Sequence, residues 1–207
     1  MKEPNDSSRP SVSPGPPALE ARSLSVEYDG TPALRDVSVA VARGELVSVL
    51  GPNGAGKTTL IKALTGVLRE VRGEVLVLGR PLRSYRRPDL GRTLAFLPQA
   101  TPESLPFTVR DLVMMGRFPY LRRFEMERPR DGEIVRRAME LMGVERFGGR
   151  YLMELSGGEV KRVYIAQAIA QESDILVLDE PTANLDINYQ VEIFRMLQRF
   201  NREMGKT

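Results

Sequence analysis

Gly51-Pro52-Asn53-Gly54-Ala55-Gly56-Lys57-Thr58 spaces three glycines, a lysine and a hydroxyl in the manner of a phosphate-binding loop. Glycines there let successive backbone N–H groups point inward at one anion, an approach that a Cβ would obstruct. Lys57 supplies a full charge toward the β- and γ-phosphates of a nucleoside triphosphate, most readily ATP, and the Thr58 hydroxyl suits Mg²⁺. By average residue frequencies the pattern arises by chance on the order of once in tens of thousands of positions. A chance glycine turn is therefore a poor account of it.

Two other stretches carry chemistry. Ile175-Leu-Val-Leu-Asp179-Glu180 is an apolar run ending in two carboxylates. In an open α/β sheet, ligands sit beyond the carboxyl ends of the strands, so Asp179 is expected to share a crevice with the phosphate loop. There Asp179 would hold Mg²⁺, and Glu180 would orient or deprotonate an attacking water. A helix cap or a surface ion pair is the plainer reading of an acidic strand end. Leu155-Ser156-Gly157-Gly158-Glu159 reads two ways. Ser156 is an N-cap residue, and the same turn offers N–H groups and a hydroxyl to a second anion.

These groups need a scaffold, and the hydrophobic pattern supplies one. Leu24–Tyr28 and Val37–Val41 alternate as half-buried strands, with Asp29-Gly30 as a turn signal between them. Leu46–Leu50 is a continuous apolar run, expected as a strand buried on both faces. Thr59–Leu68 is expected as a helix with Leu60, Leu64 and Leu68 on its inner face. Val75–Leu78 and Leu94–Leu97 read as short strands. Helical spacing then marks Val109, Leu112 and Val113, followed by Ile134, Ala138, Leu141 and Met142. A third helix is expected from about Gly158, a strand at Ile175–Leu178, and a last helix over Asn188–Met204. Strands interrupted by a helical block imply an α/β core with a helical insertion.

Composition narrows the classes. With 207 residues, 42% hydrophobic and 28% charged, the chain has the makings of a folded domain. Cysteine is absent, which excludes disulfides and thiolate metal sites, and histidine is absent too. No apolar run is long enough to cross a membrane. Residues 1–18 are rich in Pro and Ser and are expected as a disordered tail. The net charge is +3, and the clusters Arg83, Arg86, Arg87, Arg92 and Arg117, Arg122, Arg123, Arg128, Arg130 read as solvated faces. No aromatics interleave with them as a nucleic-acid groove requires, so nucleic acid is not an expected partner.

Taken in order, these motifs resemble the nucleotide-binding subunits of ATP-binding-cassette transporters, and the resemblance covers residues 19–207. It implies a P-loop NTPase (RecA-like) α/β core with a mixed sheet, antiparallel N-terminal strands and an inserted helical subdomain. The implied division is 19–98 and 165–207 for the core and 99–164 for the helical lobe. Tyr28 then stacks on adenine, Gly51–Thr58 with Thr59 is the Walker A loop, and Gln99 joins the core to the helical lobe. Gln99 would serve both catalysis and Mg²⁺. Ser156, Gly157, Gly158 and Glu159 belong to the signature, Ile175–Glu180 is Walker B, and Ala183-Asn-Leu-Asp186 is the D-loop, with Asp186 near nucleotide. The signature ends in Glu159 where Gln is commoner. Thr108–Leu121 is similar to importers of ferric siderophores, haem and cobalamin.

The resemblance implies a head-to-tail homodimer with two composite ATP sites, permease subunits in the membrane and, indirectly, a solute-binding protein. The residues following Gln99 and around Arg117–Arg123 would lie near the permease, at the cytoplasmic face of the membrane. One departure stands out: the family's switch histidine is missing, and the C-terminus reads as truncated before the strand that carries it. A non-transport ATPase of the same superfamily and an ATP-sensing module without turnover are the alternatives. The lack of a long coiled coil between Walker A and the signature, and the single cassette, weigh against the first.

Overall fold

The computed structural model describes residues 15–102, 105–121, 127–183 and 185–207. Most of the N-terminal tail, Arg122, Arg123 and Asn184 of the D-loop segment lie outside the described residues. β1 (Leu19–Tyr28) and β2 (Thr31–Val41) form a hairpin, and β3 (Arg72–Val77) pairs with the other edge of β1, all antiparallel. A two-residue strand, β4 (Arg80–Pro81), closes this sheet in the order β2-β1-β3-β4. The second sheet is a parallel pair, β5 (Leu94–Leu97) with β6 (Ile175–Leu178), in the register Leu94↔Ile175 to Leu97↔Leu178. About eighty residues separate these partners, and that long crossover holds the helical insertion.

α1 (Lys57–Leu64) follows the glycine loop and is shorter than the expected Thr59–Leu68. Gly66 stops it: its backbone is left-handed (φ +73°), and the Leu68 N–H turns back to the Lys62 carbonyl at 3.0 Å. α2 (Arg87–Thr93) leads into β5. The insertion comprises α3 (Val109–Met114), a 3-10 stretch Met115–Tyr120, α4 (Pro129–Leu141) and α5 (Gly157–Ala170). α6 (Ile187–Met204) completes the described elements. Thr108 and Asp111 form a capping box that starts α3 at the expected place.

The interior falls into two clusters. One gathers β1–β3 and α1 around Leu24, Val26, Leu60, Leu64 and Val77. The other gathers α3–α6 around Val109, Val113, Met142, Val163, Ile165 and Ile193. The parallel pair joins them, because Leu94 and Ile175 belong to the first cluster and Leu97 to the second. The site therefore rests on strands gripped from both sides.

Two expectations are corrected. Leu46–Leu50 forms no strand; Leu46, Val47 and Val49 are about half exposed, and Leu50 is 89% exposed. A short β-run without a paired neighbour is marginal, and no described strand lies beside this one. The free edge of β6 meets Thr207 instead, through Leu176 N–H to Thr207 O (2.8 Å) and Thr207 N–H to Asp174 O (3.1 Å). The second correction is Arg117, which is buried, not part of a solvated face. It donates to Asp131 (2.9 Å), the Ala170 carbonyl (2.8 Å) and Glu172 (3.0 Å), and it lies 4.1 Å over the Tyr120 ring. Burial raises the Asp131 carboxyl, but hydrogen bonds from Arg117 and the Arg128 backbone outweigh it and hold the group below its usual range.

Candidate nucleotide-binding site

The phosphate loop hugs the β1–β2 hairpin. Gly56 has φ +84°, and a Cβ there would lie 2.6 Å from the Ala33 carbonyl oxygen, so both conformation and space demand glycine. Gly56 is also the N-cap of α1, with no side chain capping the helix and no acidic residue in its first turn. The first N–H groups of α1 therefore stay available at the positive end of the helix dipole. Residues 51–55 are exposed. The Lys57 ammonium folds over the loop and donates to the carbonyls of Gly51 (2.9 Å) and Pro52 (3.0 Å). Tyr28 closes β1 at the tip of the same hairpin, opposite Thr31, with its side chain largely in solvent.

The carboxylates arrive from β6. The Asp179 N–H donates to Leu97 O at 2.9 Å, extending the β5–β6 ladder by one step and fixing where its side chain emerges. That side chain is almost fully buried and accepts from the Thr58 hydroxyl at 3.2 Å, 121 residues away in sequence. The next residue, Glu180, sits in the left-handed region at φ +47°, a strained conformation for a side chain of its size. It accepts from the Gln99 carboxamide at 2.6 Å. Thr58, Asp179, Glu180 and Gln99 are thus brought together by α1, β6 and the segment leaving β5.

Lys161, on α5, is a member of this neighbourhood that sequence reasoning missed. Its ammonium donates to the Gln99 backbone carbonyl at 3.1 Å. Burial pushes its pKa down, and the carboxylates of Asp179 and Glu180 work against that shift. Its apolar neighbours in sequence, Val160 and Val163, name no partner for it.

The signature stretch is differently arranged. Ser156 caps α5 and Glu159 answers it in a capping box, with Ser156 N–H and hydroxyl both donating to the Glu159 carboxylate (2.9 and 2.8 Å). Those bonds from Ser156 hold the Glu159 carboxyl below its usual range. Asp186 caps α6 by accepting from the N–H groups of Asn188 (3.0 Å) and Tyr189 (3.1 Å). Gly158 lies against the Tyr189 ring, so the starts of α5 and α6 are neighbours. Among the described residues, no hydrogen bond joins Ser156–Glu159 to Gly51–Thr59. Gly157 has open space where a Cβ would point.

Residues 34–183 match the family model described as "ABC transporter". The chain belongs to the ABC transporter family. Among relatives it is 42% identical over 188 residues to the uncharacterized ABC transporter ATP-binding protein YvrA of Bacillus subtilis, covering 90% of this chain and 42% of that protein. It is also 42% identical over 180 residues to the cobalamin import ATP-binding protein BtuD of Halobacterium salinarum, covering 87% of this chain and 45% of that one. The chain thus spans less than half the length of these two relatives. Its fold is similar to a dimeric, post-hydrolysis state of the ATP-binding cassette MJ0796 bound to ADP and Pi. That likeness has a TM-score of 0.79 and 26% identity, over 91% of this chain and 85% of the cassette. The P-loop NTPase fold of the ABC cassettes is therefore the fold of this chain, with the antiparallel N-terminal strands and helical insertion described above. No helix among the described residues is long and apolar enough to cross a membrane.

Proposed function

We propose that this ABC family chain is the ATP-binding, ATP-hydrolysing subunit of an importer for a metal chelate of the ferric siderophore, haem or cobalamin kind. The observation that carries the reading is the convergence of two hydrogen bonds: Thr58 to Asp179 at 3.2 Å and Gln99 to Glu180 at 2.6 Å. One bond ties the phosphate loop to the buried carboxylate. The other aims a carboxamide at Glu180, a carboxylate suited to activate water. The cobalamin-import relative and the similarity of Thr108–Leu121 to chelate importers support the substrate class.

In this reading the N–H groups of Gly51–Gly56 and Lys57 bind the β- and γ-phosphates, Thr59 extends that contact, and Tyr28 stacks on adenine. Lys57 exchanges its two carbonyl partners for phosphate oxygens, charge-assisted bonds of greater strength. Thr58, Asp179 and Gln99 form a hard-oxygen donor set that fits Mg²⁺, a cation that accepts few protein ligands beside water and phosphate. When bound, Mg²⁺ neutralises charge on the phosphates. Glu180, held by Gln99, takes the proton of the attacking water.

Ser156–Gly158 and Asp186 complete the site from a second copy, giving a two-fold, self-complementary pair. ATP then favours the closed pair by its differential affinity, and loss of the γ-phosphate reopens it. The core at 19–98 and 165–207 and the helical lobe at 99–164 would move as two parts. Gln99 and the helical lobe would pass that motion to permease subunits at the cytoplasmic face of the membrane, with a solute-binding protein acting on the far side. Glu180→Gln in the full-length protein tests the central claim. ATP binding should persist within a few-fold while turnover falls by about a hundredfold or more. Turnover near the wild-type rate would remove Glu180 from the chemistry.

A further inference from the structure

α5 grips the segment that leaves β5 at two points. The Lys161 ammonium donates to the Gln99 carbonyl at 3.1 Å, and the Tyr164 hydroxyl donates to the Pro102 carbonyl at 2.5 Å. The two side chains are three residues apart on a helix, hence on one face. Gln99 is therefore held from behind through its backbone while its carboxamide reaches forward to Glu180. Lys161 is only 8% exposed. An ammonium buried this deeply holds firmly to the carbonyl it meets, because losing that bond would leave a buried charge without its partner. α5 also begins at Ser156, so one rigid helix connects the signature turn to the back of Gln99.

We propose that Lys161 is a positioning residue for ATP hydrolysis: it fastens the Gln99 segment to the signature helix, so that displacement of the Ser156 end moves the carboxamide that orients Glu180. The proposal rests on the ATPase reading above. It assigns Lys161 no contact with nucleotide and makes its hydrogen bond to the Gln99 carbonyl, not its bulk, the working feature.

The test uses the full-length protein as wild type, Lys161→Met, Lys161→Arg and Tyr164→Phe. Two readouts are taken: backbone amide exchange at residues 99–101, and steady-state ATP turnover with kcat and KM separated. Lys161→Met should speed exchange at residues 99–101 and lower kcat by about 10- to 100-fold, the usual range for a supporting group, with KM for ATP changed less than about twofold. Lys161→Arg should recover most of kcat, and Tyr164→Phe should loosen the segment with a smaller loss. Unchanged exchange in Lys161→Met overturns the tether whatever the turnover. A loss of kcat that Arg fails to rescue, at an unchanged melting temperature, overturns the role of that hydrogen bond. Wild-type protein that exchanges as expected but shows no Mg²⁺-dependent ATP turnover overturns the ATPase reading and the positioning role with it. Fast exchange in Lys161→Met with wild-type kcat overturns the positioning role alone.

Discussion

Two helices in this chain carry glycine at or next to the N-cap, and their first turns are built to opposite ends. α1 starts at a left-handed Gly56, with no capping side chain and no acid in its first turn. α5 starts at Ser156 with a complete capping box, and Glu159 satisfies both the backbone N–H and the hydroxyl of its partner. An uncapped helix N-terminus leaves polar N–H groups unsatisfied except by water, which has a cost that a phosphate can relieve. A capped one is content alone. The contrast supports the proposal that the phosphate loop takes its anion within one chain, whereas the signature turn, capped without a ligand, would meet a nucleotide held elsewhere.

The sharpest way to break this comparison is to add one methyl group to each turn. Gly56→Ala places a Cβ 2.6 Å from the Ala33 carbonyl and forces a left-handed alanine, about 1–2 kcal/mol of conformational cost before the clash. Misaiming two or more charge-assisted N–H contacts should weaken ATP binding about a hundredfold or more. Gly157→Ala meets nothing within 4 Å, so it should leave ATP affinity of the single chain within about twofold and raise stability by up to about 1 kcal/mol. Nucleotide titration and urea unfolding of both variants decide the matter. Equal losses of affinity would mean that both turns serve the same bound nucleotide in one chain.

Much of this contrast was legible before any coordinates. The glycine-lysine-threonine spacing raises the expectation of an anion site, and Ser156 is expected as the N-cap of α5, whereas its reciprocal bond with Glu159 is seen only in the structure. The strands β5 and β6 are expected from two apolar runs of strand length, with Asp179 at the end of the second, although the runs do not tell that the two pair. Three further features were not legible, each because a distant partner decides it. Leu46–Leu50 has the composition of a buried strand, yet composition cannot supply the neighbour that would pair with it. Arg117 looked like one more surface arginine, and only the arrival of Asp131, Glu172 and the Ala170 carbonyl makes its burial tolerable. Lys161 has no partner nearby in sequence; Gln99 lies 62 positions before it.

A smaller effect is expected from the cap itself. Ser156→Ala removes the hydroxyl that accepts from the Glu159 N–H and donates to its carboxylate, which should lower stability by about 1 kcal/mol. The ATP affinity of the single chain should not change, because no hydrogen bond joins this turn to the phosphate loop among the described residues. ATP-driven association of two copies of the Glu180→Gln protein, followed by size-exclusion chromatography, should weaken in the double variant. Loss of single-chain affinity at unchanged association would reverse the assignment of the two turns.

The smallest effect concerns the acid that closes the box. Hydrogen bonds from Ser156 hold the folded-state Glu159 carboxyl below the ordinary glutamate value of roughly 4.3, which the unfolded chain retains. The unfolded chain therefore takes up the proton first as the pH drops. The contribution of Glu159 to stability is full above the unfolded value and is lost as the pH falls through the folded one. Glu159→Gln keeps an acceptor for the box but forfeits the charge beside the helix N-terminus, on the order of 0.5 kcal/mol at low salt. Wild type and Glu159→Gln should accordingly differ in urea midpoint at neutral pH and converge on acidification, with the gap shrinking in added salt. A gap that ignored both pH and salt would mean that the carboxylate acts through shape alone, and α5 would lose its electrostatic distinction from α1.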